Sequence, residues 1–147
     1  MNIIEKVKAA LEEYPHIDTL HIDYQQNDAD SFGLYSTGDR LAGTDILGGQ
    51  KRQHTFILYA AFHSFDDYDR LANSGLLLEL QYWLEQYADG QEIVNTILGK
   101  TYRGTLDAIR CANGMLFNIP DNNMNTAVQY QMQLTADYTI ESIESEE

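Results

Sequence analysis

From Thr126 to Glu141 the chain alternates without a break. Val128, Tyr130, Met132, Leu134, Ala136, Tyr138 and Ile140 fall on one side, and Gln129, Gln131, Gln133, Thr135, Asp137 and Thr139 on the other. A period of two marks a strand with one buried face. At roughly 3.4 Å per residue it is about 50 Å long, beyond the roughly 3–10 residues of an ordinary strand. A strand of that length has to run through a large sheet, and its apolar face needs cover.

Two segments can supply the cover. Ile3, Ile4, Val7, Leu11 and Tyr14 recur at three- and four-residue steps, which predicts a helix over Asn2–Tyr14 that Pro15 stops. Ser64 with Asp67 reads as a capping box, and Asp66 and Asp69 suit a helix N-terminus. The helix it opens runs to about Ala88. Leu71, Leu76, Leu78, Leu80, Tyr82, Trp83, Leu84 and Tyr87 give it a wide apolar face, and Asp89-Gly90 ends it.

The remaining segments read as strands and turns. Thr19–Tyr24 alternates, and Phe32–Ser36 is a short strand after a polar turn over Gln25–Ser31. Gly38–Gln50 holds four glycines and reads as a loop or irregular hairpin around Leu41–Leu47. Gln53–Phe65 is apolar on both sides, so it is the central strand. Glu92–Leu98 and Thr101–Cys111 pair around a turn at Gly99-Lys100. Asn113-Gly114 signals a second hairpin into Met115–Ile119, and Pro120–Asn125 is a loop. The order α-β-β-β-α-β-β-β predicts one α+β domain over residues 1–147. It has a mixed or antiparallel sheet, two main helices packed on one face, and roughly the last six residues as a frayed acidic tail.

Charge narrows the function. The chain has 147 residues with 23 Asp and Glu against 9 Lys and Arg, a net charge of −14. The bases are scattered along the sequence, with Lys51-Arg52 the only adjacent pair, so specific nucleic-acid binding is not expected. An acidic body also repels anionic lipid, and no segment is long and apolar enough to span a bilayer. With no signal-peptide pattern and a single cysteine, a reducing cytosol is the expected first compartment.

Catalytic signatures fail one by one. Gly99-Lys100-Thr101 has the end of a phosphate loop, but Val94 stands where the first glycine belongs. Gly43 and Gly48 have the spacing, but Gly49 replaces the lysine. Both read as turns. Asp28–Gly33 imitates the front of a calcium loop, with Phe32 at a ligand position and Asp39 where a glutamate is expected. His16, His21, His54 and His63 lack metal-ligand spacing, and Cys111 reads as a buried inert thiol. There is no Gly-x-Ser-x-Gly elbow. The expectation is a chain with no catalytic, cofactor or metal site. Of ten tyrosines, Tyr59, Tyr82, Tyr87, Tyr130 and Tyr138 fall on expected core faces.

Several stretches carry a family resemblance. They are Met1-Asn2-Ile3-Ile4-Glu5-Lys6-Val7, Tyr14-Pro15-His16-Ile17-Asp18, Arg52–Ala60, Asp69–Ser74, Leu78–Glu85, Cys111–Met115, and Gln129-Tyr130-Gln131 in the long strand. Together they resemble the minor capsid or tail-completion proteins of long-tailed phages and prophages of Firmicutes, over nearly the whole chain. The resemblance implies a tail terminator-like fold. It also implies a structural role in the virion tail or neck, after assembly in the host cytoplasm. Copies would form a homo-oligomeric, hexameric ring that caps the tail tube and meets the head connector. A connector or tail-tube subunit of the same virion, or a small-molecule binding module, are the alternatives. A ring needs contact elements, and the expected ones are Leu41, Ile46 and Leu47 in the glycine-rich segment and Gln129, Gln131 and Gln133 on the long strand.

Overall fold

The computed structural model describes residues 1–17, 19–23, 31–63, 67–87, 90–118 and 127–144. The elements are α1 (Ile3–Glu13), β1 (Thr19–Ile22), β2 (Ser31–Thr44), β3 (Gln50–His63), α2 (Asp67–Tyr87), β4 (Gln91–Ile97), β5 (Lys100–Asn118) and β6 (Ala127–Glu144). This is an α+β architecture. The six strands form one sheet in the order β1-β2-β3-β6-β5-β4, with β1 and β2 parallel and every other pair antiparallel.

The alternating segment is β6, at the centre between β3 and β5. Tyr130, Met132, Leu134, Ala136, Tyr138 and Ile140 are all buried. In β3, Phe56, Leu58 and Ala60 stand opposite Leu134, Met132 and Tyr130, which puts both sets on one face. Val7 and Leu11 of α1 and Leu77, Leu80 and Leu84 of α2 belong with these residues to a single core cluster. Each fully buried leucine there contributes about 1.5–3 kcal/mol.

α1 begins at a capping box. The Asn2 side chain accepts from the Glu5 amide (2.9 Å), and the Glu5 carboxylate accepts from the Asn2 amide (3.2 Å). It ends at Tyr14, which is extended as a residue before proline should be.

Five expectations need correction. The glycine-rich segment is the irregular hairpin of the two readings, but its first part, Gly38–Thr44, continues the short strand at Phe32–Ser36 as one strand, β2, whose second half is exposed. No burial pattern marked that half in the sequence, because it is held by pairing with β3, with bulges at Ser36/Gly38 and Leu41/Gly43. Asn113-Gly114 is no hairpin. β5 runs through it, and the pair sits in a register shift between Ala112 and Met115, a bulge against β6.

On α2 the buried arc is Leu77, Leu80 and Leu84, while Leu71, Leu78 and Tyr82 are exposed. β6 continues to Glu144, which pairs with Tyr102, so residues 142–144 belong to the sheet, and residues 145–147 of the expected tail lie outside the described residues. The turn after β4 is at Leu98-Gly99, both with positive φ, as a two-residue hairpin loop of the I′ type needs. The Ser64 cap, the Asp28–Asp30 segment and the Pro120–Asn125 loop lie outside the described residues.

Candidate assembly surface and an adjoining polar cluster

Gln50, Ile140, Gly104 and Ile93 form one row across β3, β6, β5 and β4. Beyond that row two turns project at the same end of the sheet. The β2–β3 turn carries Ile46 and Leu47, and the β4–β5 turn carries Leu98 with Ile97 beside it. Ile46 is 103% and Leu98 99% exposed, and Leu41, Leu47 and Ile97 are exposed as well. A concavity of about 230 Å³ lies between the turns, lined by Gly48, Gln50, Ile97, Tyr102, Ile140 and Glu141.

The larger turn is held by its own hydrogen bonds. Asp45 Oδ1 accepts from the amides of Leu47 (2.9 Å) and Gly49 (2.8 Å), and the Asp45 amide donates to the Gly49 carbonyl (2.8 Å). A Cβ at Gly49 would sit 2.5 Å from Asp45 Oδ2, which accounts for that glycine. Leu98 holds φ +50, a conformation unfavourable for a leucine, at full exposure. Local rules are broken here to present apolar side chains, which is the pattern of an interaction site.

A second apolar surface lies on α2, where Leu71, Leu78 and Tyr82 share one helical face. The sheet also keeps an unpaired margin. β1 covers β2 only over Ser31–Leu34, so Tyr35–Thr44 has no strand on its other side among the described residues. Elsewhere on the margins, two points among the described residues meet a polar partner. The Met1 carbonyl accepts from the Val94 amide of β4 (2.7 Å), and Gln81 of α2 donates to the Cys111 carbonyl of β5 (3.5 Å).

Leu41, Ile46 and Leu47 thus lie where an interface can reach them. Gln129, Gln131 and Gln133 do not join them. They sit far up β6, facing away from the core cluster, with Gln129 buried and Gln131 half-buried. Only Gln133 is exposed, in a concavity with Thr37, Thr55, Ile57 and Thr135. The apolar pair Ile97 and Leu98 was missed in the sequence because a two-residue turn reads as punctuation.

Next to the hairpin end, on the core-facing side, Ser36, Asp39, Arg52, His54 and Tyr138 form a polar cluster. Asp39 accepts from Arg52 Nε (2.6 Å), from the Tyr138 hydroxyl (2.5 Å) and from His54 Nδ1 (2.9 Å). Ser36 Oγ lies 2.5 Å from His54 Nε2. His54 is buried against Phe56, with ring centroids 4.6 Å apart.

Burial alone would raise the Asp39 pKa, but the bonds from Tyr138, Arg52 and His54 and the Arg52 charge hold the carboxyl below its ordinary value. Burial and the same carboxylate push the Tyr138 hydroxyl up. Tyr138→Phe should lower stability by about 2 kcal/mol near neutral pH, the range for a hydrogen bond to a charged group. Because the folded pKa of Asp39 lies below its unfolded value, this contribution is present above about pH 4 and fades as acid protonates the carboxylate. Urea titrations of both proteins at neutral and strongly acid pH check it. A gap that persists undiminished in acid would contradict the assignment.

Elsewhere the chemistry is quiet. Desolvation, then the Glu85 charge, pushes the Cys111 thiol up to about 12. Cys111 should therefore resist alkylation at neutral pH in the native protein and react at once in denaturant, as a thiol-reagent time course would read.

A concavity of about 480 Å³ crosses β3, β6 and β5, and Arg52, Arg110, Asp107 and Asp137 in its lining have partners. Arg110 binds Asp137 through two bonds (2.9 and 3.1 Å), and Asp107 accepts from Thr105 and Thr139. Among the described residues no three His, Cys, Asp or Glu side chains gather as metal ligands, and no helix is long and apolar enough to cross a membrane. The two glycine runs that imitate phosphate loops end in the turns described above. No protein-family model matches the chain, and the curated proteins compared with it include no match.

Proposed function

We propose that this chain is a structural part of a long-tailed phage or prophage virion, a tail-completion protein whose copies close into a hexameric ring. The ring caps the tail tube and offers the head connector its joining surface. One observation carries the reading: the chain exposes two unlike apolar surfaces, the hairpin end and the Leu71/Leu78/Tyr82 face of α2. A head-to-tail contact joins two different patches of one molecule, and such contacts close into rings when the rotation allows. The unpaired Tyr35–Thr44 margin adds a route for backbone pairing between copies. The resemblance read from the sequence supplies the virion setting. The net charge of −14 suits a passage that DNA traverses without adhering.

Sedimentation velocity and electron microscopy of the purified protein, alone and with tail tubes, test this. Rings of one size, or rings that appear only on tube tips, support it. Open-ended polymers would make the chain a tube subunit, and a persistent monomer that ignores tubes would refute assembly altogether. Thermal stabilisation by a metabolite, without assembly, would favour the small-molecule module.

A further inference from the structure

We propose that Ser36 is an activated nucleophile, with His54 as its general base and Asp39 positioning the imidazole, and that this cluster transfers acyl groups from small esters to water. The inference stands apart from the assembly reading and rests on the geometry of the cluster alone.

The carboxylate of Asp39 only accepts, so the His54 nitrogen facing it (Nδ1, 2.9 Å) must carry a hydrogen. In the neutral ring that leaves Nε2 as the acceptor, and Nε2 is the nitrogen 2.5 Å from Ser36 Oγ. The serine hydroxyl therefore donates to a nitrogen able to take its proton. Arg52 and Tyr138 clamp the carboxylate from other sides, and packing on Phe56 limits the ring's rotation. Ser36 itself is exposed, so an acyl carbon can approach it.

The backbone is arranged for this meeting. Ser36 and Asp39 are three positions apart, an odd step that would put them on opposite faces of a regular strand. The bulge at Thr37 takes up one residue, so Ser36 stands opposite Phe56 and Asp39 opposite His54, all on one face.

In the reaction, Ser36 Oγ bonds to the acyl carbon while His54 Nε2 takes the hydroxyl proton. The carbon–oxygen bond to the alcohol breaks, and the alcohol leaves with that proton. Water then attacks the acyl-serine, gives a proton to Nε2, and the bond to Oγ breaks as the proton returns to it. The balance is ester plus water to carboxylic acid plus alcohol. Ser36 stands on an open strand face, so p-nitrophenyl acetate, a small activated ester, can reach it.

The test treats the full chain with a fluorophosphonate probe, followed by intact mass and peptide mapping, alongside hydrolysis of p-nitrophenyl acetate. The expected result is one adduct, mapped to Ser36, with none in Ser36→Ala. Labelling and hydrolysis should fall on the order of 10²-fold in His54→Gln, the usual worth of a general base. In Asp39→Asn, nitrogen NMR of the His54 ring should show Nδ1 losing its hydrogen preference, a change that mere loss of stability does not produce. No adduct, an adduct mapped elsewhere in the parent chain, or equal labelling of Ser36→Ala each overturns the proposal. Peptide mapping of the parent decides the matter even if the variants misfold.

Discussion

The double variant Ile46→Asp/Leu47→Asp should stay folded and lose self-assembly. Both side chains project from the hairpin end into solvent, so the monomer gives up no buried contact. The turn is held by backbone amides and Asp45, none of which changes. Exposed substitutions of this kind stay within about 0.5 kcal/mol. In the assembled state the same positions would be desolvated, and an unpaired carboxylate there costs several kcal/mol. Two of them should weaken association by roughly 10³-fold or more. Sedimentation of parent and variant at equal concentration, alone and with tail tubes, measures the effect, with circular dichroism as the check on folding. A variant that assembles like the parent would remove the hairpin end as a contact.

Gly104→Ala should damage the fold itself. A Cβ at Gly104 would lie 2.1 Å from the Thr139 carbonyl oxygen and 3.2 Å from Ile93 Cγ1. The oxygen belongs to the backbone of β6, which is paired on both sides by β3 and β5 and has nowhere to move. Relief requires parting β5 from β6 at the row that also holds Gln50, Ile140 and Ile93. The expected loss is about 3 kcal/mol, the upper range for overpacking. For a chain of this size that corresponds to roughly 10 °C in melting temperature. Gly43→Ala is the control, since its Cβ would meet nothing within 4 Å. Equal melting temperatures for the two variants would contradict the account.

Much of the frame was legible because it is written in local periods. The alternation from Tyr130 to Ile140, the α1 stripe and the apolar centre of β3 each announce which residues are buried. α2 was legible as a helix but not in its register. It carries apolar residues on most of its circumference, so packing chose Leu77, Leu80 and Leu84 and left Leu71, Leu78 and Tyr82 outside. The second half of β2 was illegible because an exposed strand held by its neighbour has no hydrophobic pattern to display. Of the six expected contact residues, Leu41, Ile46 and Leu47 were readable as apolar residues in a glycine-rich turn. Alternation placed the three glutamines on the face turned from the core but could not tell that Gln129 is buried, Gln131 half-buried and Gln133 exposed.

The sequence by itself determined the elements and the inward face of the central strands, because a period of two or of 3.6 is a property of neighbouring residues. Only the tertiary structure brought Ser36, Asp39, His54 and Tyr138 into one cluster and set the Leu98-Gly99 turn at the same end of the sheet as Ile46 and Leu47. Those meetings depend on strand order, register and single-residue bulges. These are settled between segments tens of residues apart, where no local spacing records them.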